Sequence, residues 1–146
     1  MSLFETLSVS ASGMSAQRAR TELLAQNIAN SETTRTPEGG PYRRQDIVFE
    51  TAPVAQPFGS VFASALEQAS PGVRVSEVLL DSKEPIRRYL PGHPDADEKG
   101  YVAFPNFSPI EEMVDLQNAS SNFNANITAA SVVKDMISRS IDLLRS

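Results

Sequence analysis

The chain has 146 residues, of which 40% are hydrophobic and 21% charged, so we expect one soluble domain of ordinary composition. Its formal net charge is −5, which argues against nucleic acid as the main partner and provides no polybasic patch for an anionic membrane. Cysteine is absent, which excludes disulfide bonds, a CxxC redox site and a thiolate metal site.

The positions of proline and glycine divide the chain into three parts. All ten prolines lie between Pro37 and Pro109, and so do all glycines except Gly13. Because these residues interrupt helices, the ends favour helix and the middle favours strands and turns. We predict a mainly α fold with a small β insertion, in which long N- and C-terminal helices pair as a coiled-coil-like bundle. The predicted parts are an N-terminal helix at 1–30, a central β-rich module with loops at 31–107, and a C-terminal helix at 108–146.

The first helix is predicted over residues 3–30, where side chains follow a heptad pattern. One series at intervals of seven is Leu7, Met14, Thr21 and Ile28, and its companion is Leu3, Ser10, Gln17 and Leu24. Half of the companion series is polar, so this helix would bind a partner helix only weakly by itself. The same residues lack the basic start and apolar run of a secretory signal, and no stretch approaches the ~18 apolar residues of a membrane span.

The central part is predicted to contain four short strands separated by turns. Val73 and Val75 alternate with polar neighbours, and turn-forming residues cluster at 37–41 and 91–100. The predicted strands are Arg43–Thr51, Gly72–Leu80, Ile86–Leu90 and Tyr101–Phe104. The stretch 52–71 is predicted to be a loop with at most one short helix.

The clearest periodic pattern predicts one helix from about residue 109 to 144. Ser108 at the N-cap, Pro109 at the first helical position and Glu111 two residues later form a capping box that includes proline. The predicted a/d seam consists of Leu116, Phe123, Ala130, Ile137 and Leu144 and, three residues earlier, Met113, Ser120, Ile127, Lys134 and Ile141. An ordinary amphipathic core helix is the alternative interpretation.

The lengths of the two helices predict how the chain ends meet. At 1.5 Å per residue the helices would be roughly 40 and 50 Å long. A compact domain of this size has a radius of gyration of only about 15 Å. We therefore expect an elongated molecule whose ends lie side by side as an antiparallel or crossing pair.

Two stretches of the predicted helices carry no charged residue, namely 6–17 and 118–131. A helix that faces solvent usually has Lys and Glu on its outer side. Small uncharged polar groups suit close contact with other helices, because a charge there would lose its hydration. Our hypothesis is that other subunits cover these faces, and the alternative is a solvated polar face that lacks charge.

No constellation for catalysis or metal binding is recognisable. His93, the only histidine, lies in a proline turn and is accompanied by no nucleophile or second base. Residues 95–100 begin like a calcium loop, but Lys99 occupies a position that needs an oxygen ligand. The basic pairs at 43–44 and 87–88 are interpreted as solvated residues or inter-subunit salt bridges. We predict no enzyme activity, no metal and no cofactor.

Two stretches resemble the flagellar axial protein family. The helix end AQNIAN (25–30) followed by SETTRTPEGGPYRRQ (31–45) is similar to the N-terminal motif that rod, hook and hook-associated proteins share. The stretch HPDADEKGYVAFPNFSPIEEMVDLQNASSNFNANI (93–127) is similar to the FlgC type of this family, with an acidic turn, a GYV strand, a PN step and an EEMV helix start. The resemblance covers nearly the whole chain except 52–71.

The resemblance implies a structural subunit of the proximal rod, the drive shaft of the flagellar basal body within the periplasm. It implies export by the flagellar type III apparatus without a cleaved signal peptide, and self-assembly into a helical array whose terminal helices line a hollow tube. The implied partners are other rod proteins and the hook–basal-body adaptor at the rod base. Neither nucleic acid nor a transmembrane segment is expected.

The residues predicted to carry assembly lie on the two terminal helices. Apolar packing is assigned to Leu3, Leu7, Met14, Leu24, Ile28, Met113, Leu116, Phe123, Ile127, Ile137, Ile141 and Leu144. Asn27 and Asn30, where the first helix ends, are candidates for capping and for inter-subunit hydrogen bonds. A head-to-tail interface whose rotation does not close generates an open helix of subunits.

Two other classes of protein remain open. A cytoplasmic coiled-coil adaptor or secretion chaperone would form a stable dimer with ordered termini. An enzyme would need a site in the central module, which no residue indicates. Hydrogen exchange separates subunit from adaptor, because a polymerising subunit should have a protected middle and unprotected ends, whereas a closed dimer should be protected uniformly.

Overall fold

A computed structural model describes residues 3–53 and 71–145. Its elements are α1 (Leu3–Ala29), β1 (Gln45–Pro53), β2 (Pro71–Leu80), β3 (Ile86–Tyr89), β4 (Tyr101–Phe104) and α2 (Pro109–Arg145). The fold is mainly α with a small β part, and both predicted helices and all four predicted strands are confirmed to within about two residues at their ends. Of the loop predicted over 52–71, the ends belong instead to β1 and β2, and residues 54–70 lie outside the described residues.

The strands of the described chain form two-stranded sheets, β1 with β2 and β3 with β4. β3 and β4 are antiparallel, with Ile86 opposite Phe104 and Tyr89 opposite Tyr101. The Arg88 guanidinium lies over the Phe104 ring, 4.8 Å from its centroid. The rings of Tyr89 and Tyr101 meet edge to face at 5.4 Å. Such cross-strand pairs stabilise a ladder that is only four residues long.

Both long helices begin or end at the signals that the sequence carries. The Glu112 N–H donates to the Ser108 carbonyl at 3.3 Å, which makes Ser108 the N-cap residue of α2 and Pro109 its first residue, as predicted. At the end of α1, the Asn30 N–H donates to the Gln26 carbonyl at 3.0 Å. Local chemistry therefore sets the start of α2 and the end of α1.

Glycines with left-handed backbone angles form two of the predicted turns. Gly39 and Gly40 have φ of 92° and 80°, in a turn where the Thr36 N–H donates to the Gly40 carbonyl at 2.9 Å. Gly100 has φ of 79°, and a Cβ at this position would lie 2.9 Å from Cε2 of Tyr89. Both the backbone and the neighbouring ring therefore require glycine at position 100.

The described residues group into two compact units, which are described separately. The first unit contains residues 3–19, 48–53, 71–77 and 119–145, and the second contains 20–47 and 78–118. Buried hydrophobic side chains among the described residues are Ala16, Ala119 and Val133 in the first unit and Leu23, Leu24 and Val102 in the second. No described helix is both long and apolar enough to cross a membrane. The division into three parts along the chain stays a prediction.

Candidate functional site

On α1, the predicted assembly residues are buried only near the end of the helix. Leu24 is 2% exposed and Asn27 is 0% exposed. The half-buried members of the set are Leu3, Leu7, Met14, Ile28 and Asn30. The interior contacts of this set therefore come chiefly from Leu24 and Asn27.

On α2, none of the predicted assembly residues is buried. Met113, Ile127, Ile141 and Leu144 are 53%, 45%, 49% and 87% exposed, and Leu116, Phe123 and Ile137 are half-buried. Further exposed apolar side chains on this helix are Ile110, Val114, Val132, Met136 and Leu143. The helix thus has an apolar surface that the described part of the chain leaves largely uncovered.

The inward face of α2 differs from the predicted a/d seam. Its buried residues are Glu112, Ala119 and Val133, which are separated by multiples of seven. They precede by one residue the series that begins at Met113, which is exposed within the described chain, so the packing of that series against another helix stays a prediction. In the series that contains Leu116, the first four members are half-buried, whereas the last, Leu144, is 87% exposed. Heptad spacing does not distinguish two adjacent registers.

A polar cluster with a buried centre lies in the second unit, where α1 ends. It consists of Asn27, Tyr42, Arg44, Gln45 and Glu112, and we call it the Asn27 cluster. Nδ2 of Asn27 donates to the Gln45 carbonyl and to Oε2 of Glu112, both at 2.8 Å. Its Oδ1 accepts from the Tyr42 hydroxyl at 2.9 Å and from the Gln45 N–H at 3.1 Å. All four hydrogen bonds that this amide can form are made within the chain.

These contacts change the role expected for Asn27. With no exposed surface and a complete set of partners, its side chain is not available for the predicted hydrogen bond to another subunit. Asn30 does act as a cap, because its Nδ2 donates to the Gln26 carbonyl at 2.9 Å. Its Oδ1 accepts from the Thr33 hydroxyl at 3.1 Å, which joins the helix end to the following turn.

Glu112 is a charged residue held inside the cluster with 2% of its surface exposed. Its Oε1 accepts from Nε of Arg44 at 2.5 Å. Burial acts to lower the pKa of Arg44, but hydrogen bonds and charges, chiefly of Glu112 and also of Asp46, outweigh it and raise that pKa. Burial, assisted by the Glu112 charge, raises the pKa of Tyr42, so its hydroxyl stays protonated and can donate to Asn27. A buried carboxylate is costly without such partners.

In the first unit, the two helices approach closely at Gly13. A Cβ at this position would lie 3.2 Å from Nδ2 of Asn126. Nearby, the Val73 N–H donates to Oγ of Ser12 at 3.1 Å, and the Ser12 hydroxyl donates to the Val9 carbonyl at 2.7 Å. Small residues of the uncharged stretch therefore serve close contacts within the chain, and their coverage by other subunits stays a prediction.

The carboxylates of the acidic turn bind groups of the chain itself. Oδ1 of Asp97 accepts from the N–H groups of Tyr101 at 2.8 Å and Lys99 at 2.9 Å, and chiefly the Tyr101 bond lowers the pKa of Asp97. Oδ2 of Asp95 accepts from the Thr34 hydroxyl at 2.8 Å. Within 3–53 and 71–145, no group of three or more His, Cys, Asp or Glu residues is placed to hold a metal ion.

Among the members of the Asn27 cluster that act through their side chains, sequence reasoning missed three, namely Tyr42, Arg44 and Glu112. All three lie in the stretches that carry the family resemblance. A single sequence does not reveal which of two adjacent arginines or glutamates is buried. Heptad spacing offers no signal either, because it fits Glu111, Glu112 and Met113 equally well.

Comparison with known proteins gives a consistent result. Residues 7–35 match the profile of the family described as Flagella basal body rod protein. The chain is 42% identical to the flagellar basal-body rod protein FlgC of Borreliella burgdorferi, over 99% of both chains. It is 35% identical to FlgC of Bacillus subtilis, over 98% of this chain and 99% of the relative, and 34% identical to FlgC of Salmonella typhimurium, over 98% of both. Because these similarities extend over almost the entire length, the chain belongs to the FlgC family of flagellar basal-body rod proteins.

Proposed function

We propose that this protein, a structural subunit of the flagellar basal-body rod, polymerises with other rod proteins into the proximal part of the hollow shaft that transmits torque. The apolar surface of α2 is the observation that carries the proposal. Leu144, Leu143 and Ile110 are 87%, 77% and 73% exposed in the isolated chain. Full burial of such a side chain contributes about 1.5–3 kcal/mol, so contact with neighbouring subunits would stabilise the assembly.

We further propose that α1 and α2 pair as an antiparallel, coiled-coil-like bundle. Two contacts support this arrangement, Gly13 with Asn126 and Asn27 with Glu112. From the first contact to the second, the position advances by 14 residues along α1 and retreats by 14 along α2. Equal and opposite steps are those of an antiparallel helix pair, and 14 residues are two heptads.

Membership of the rod family supports a further part of the proposal. The neighbours would be other rod proteins and the hook–basal-body adaptor at the rod base. The flagellar type III export apparatus would deliver the chain to the periplasm without a cleaved signal peptide. No observation on the described residues favours the cytoplasmic adaptor or secretion chaperone.

Substitution of two exposed leucines tests polymerisation through α2. The variant Leu143→Asn/Leu144→Asn removes apolar surface that the chain itself scarcely covers. The control Ser138→Asn/Asp142→Asn introduces the same amide groups at exposed positions of the same helix. In cells that lack their own FlgC, we expect the leucine variant to lose swimming and incorporation into isolated basal bodies. The control should retain both.

The isolated leucine variant should keep the circular dichroism spectrum and melting temperature of the parent, because both side chains are more than three-quarters exposed. Normal swimming by this variant would contradict polymerisation through this end of α2. Hydrogen exchange on the parent provides the second measurement. Uniform protection in a small closed dimer would favour the adaptor.

A further inference from the structure

In the first turns of α2, a charged side chain faces the interior while its apolar neighbours face outward. Glu112 faces the interior at 2% exposure, whereas Met113 and Val114 are 53% and 56% exposed. A roll by one residue, about 100°, would bury Met113 in place of the carboxylate. Two effects favour this rolled register. The hydrophobic effect favours it because the roll would bury the apolar side chain of Met113, and hydration favours it because the Glu112 carboxylate would return to water. It is also the register that heptad spacing alone predicts.

The hydrogen bonds of the Asn27 cluster favour the observed register over the rolled one. In the observed register, Glu112 accepts from Nε of Arg44 at 2.5 Å and from Nδ2 of Asn27 at 2.8 Å. With Met113 in the same place, both donors would lose their acceptor. A buried donor without a partner is costly, and a partly buried cation without its anion is more so. Of the two adjacent side chains, only the carboxylate at 112 satisfies this pocket.

We propose that the Asn27 cluster determines the register of the first turns of α2. In doing so it keeps Ile110, Met113 and Val114 exposed for contact with a neighbouring subunit. Buried ion pairs often add little net stability, and specifying a register is their best-attested role. The choice of register does not depend on rod assembly, whereas the use of the exposed side chains rests on the proposed function.

Thiol labelling of single-cysteine variants measures this register, because the chain has no cysteine of its own. Met113→Cys reports the face that the observed register exposes. Glu111→Cys is the reference, because Glu111 is exposed and a roll that buries Met113 carries it further from the interior. Both reporters are placed in the full chain and in the variant Asn27→Leu/Arg44→Leu, which removes the two donors and keeps Glu112.

Without the two donors, the first turns of α2 should roll toward the apolar register. Labelling follows the fraction of molecules that expose the thiol, so we expect Met113→Cys to react about two- to tenfold more slowly. The reaction of Glu111→Cys should not slow. The control Gln26→Leu/Arg43→Leu adds the same apolar groups at exposed positions and should leave both rates unchanged. Unchanged reactivity of Met113→Cys in the folded Asn27→Leu/Arg44→Leu protein would overturn the proposal.

Two further variants separate register from stability. If Asn27→Leu/Arg44→Leu does not fold, it is replaced by Arg44→Gln, which removes only the charge partner of Glu112. Its effect is measured in the same way, as the labelling rate of Met113→Cys relative to that of Glu111→Cys. Glu112→Gln keeps an acceptor for both donors, so we expect a lower melting temperature with unchanged labelling of Met113→Cys. Slower labelling in Glu112→Gln would instead show that lost stability moves the helix, and would overturn the proposal. These measurements need no rod, so their failure is distinct from failure of the swimming test.

Discussion

In the second unit, the interior includes polar groups that are fully partnered, whereas the interior of the first unit consists mainly of small side chains. The second unit buries Asn27 and Glu112 within one hydrogen-bonded cluster, alongside Leu24. The buried residues described in the first unit are Ser10, Ala16, Gly72, Ala119 and Val133. Large apolar side chains of that unit, such as Ile141 and Leu144, are exposed.

This contrast distinguishes the contacts that a subunit completes alone from those that it leaves to its neighbours. A buried carboxylate must find its partners within the chain, because an unpartnered one is too costly to bury. Exposed apolar side chains carry no such requirement and gain free energy when another surface covers them. We therefore expect substitutions in the Asn27 cluster to act mainly on folding, and those of exposed apolar side chains on α2 to act mainly on assembly.

The largest effect on folding is expected for Arg44→Ala. Its removal leaves the Glu112 carboxylate buried without its cation, which should lower the free energy of unfolding by about 3 kcal/mol. Arg43→Ala changes the exposed neighbour and should cost less than about 0.5 kcal/mol. Urea unfolding followed by circular dichroism measures both. If both substitutions had similarly small effects, the ion pair of Arg44 and Glu112 would not be a source of stability in the second unit.

Phe123→Ala tests the first unit. A fully buried phenylalanine loses about 3–5 kcal/mol on this substitution. Phe123 is only half-buried in the isolated chain, so we expect a loss of about 1–2 kcal/mol in urea unfolding, together with a clear loss of swimming. A loss of about 3–5 kcal/mol in the isolated protein would mean that Phe123 is already fully packed there and that the first unit completes its own core. Retained swimming would argue against an assembly role for this ring.

Gly13→Ala should have a smaller effect, because two contributions oppose each other. Alanine is favoured over glycine inside a helix by about 1 kcal/mol. The added Cβ would lie 3.2 Å from Nδ2 of Asn126, a flexible side chain that must move slightly. We expect thermal unfolding to show a net change below about 1 kcal/mol, and Gly13→Leu to be clearly destabilising. A harmless leucine would contradict a close approach of the helices at this position.

The smallest effect is expected at the surface of the second unit, for Asp97→Asn. Backbone hydrogen bonds lower the pKa of Asp97 below its ordinary value of 3.8. Its ionised form therefore stabilises the folded state above that pH, and this contribution is lost as the pH falls through the lowered pKa. Asp97→Asn should reduce the difference in melting temperature between about pH 6, well above the ordinary pKa of this carboxyl, and about pH 3, below it. An identical pH dependence in both proteins would show that this turn does not contribute.

The secondary structure of this chain follows largely from local sequence. Ser108 and Pro109 mark the start of α2 without help from the rest of the fold. The glycines at 39, 40 and 100 mark turns because their backbone angles are strained for other residues. The family motifs are likewise continuous stretches, so the rod family was recognisable from the sequence alone.

The sequence by itself determined the helices, the strands, the turns and the family, because all of these depend on neighbours along the chain. Only the tertiary structure decided which face of α2 is inward and what Asn27 binds. Those choices depend on pairs that are far apart in sequence, 68 residues for Arg44 with Glu112 and 85 for Asn27 with Glu112. Adjacent heptad registers are equivalent in spacing, whereas the donors of buried Asn27 and partly buried Arg44 pair with only one of two adjacent side chains, the Glu112 carboxylate.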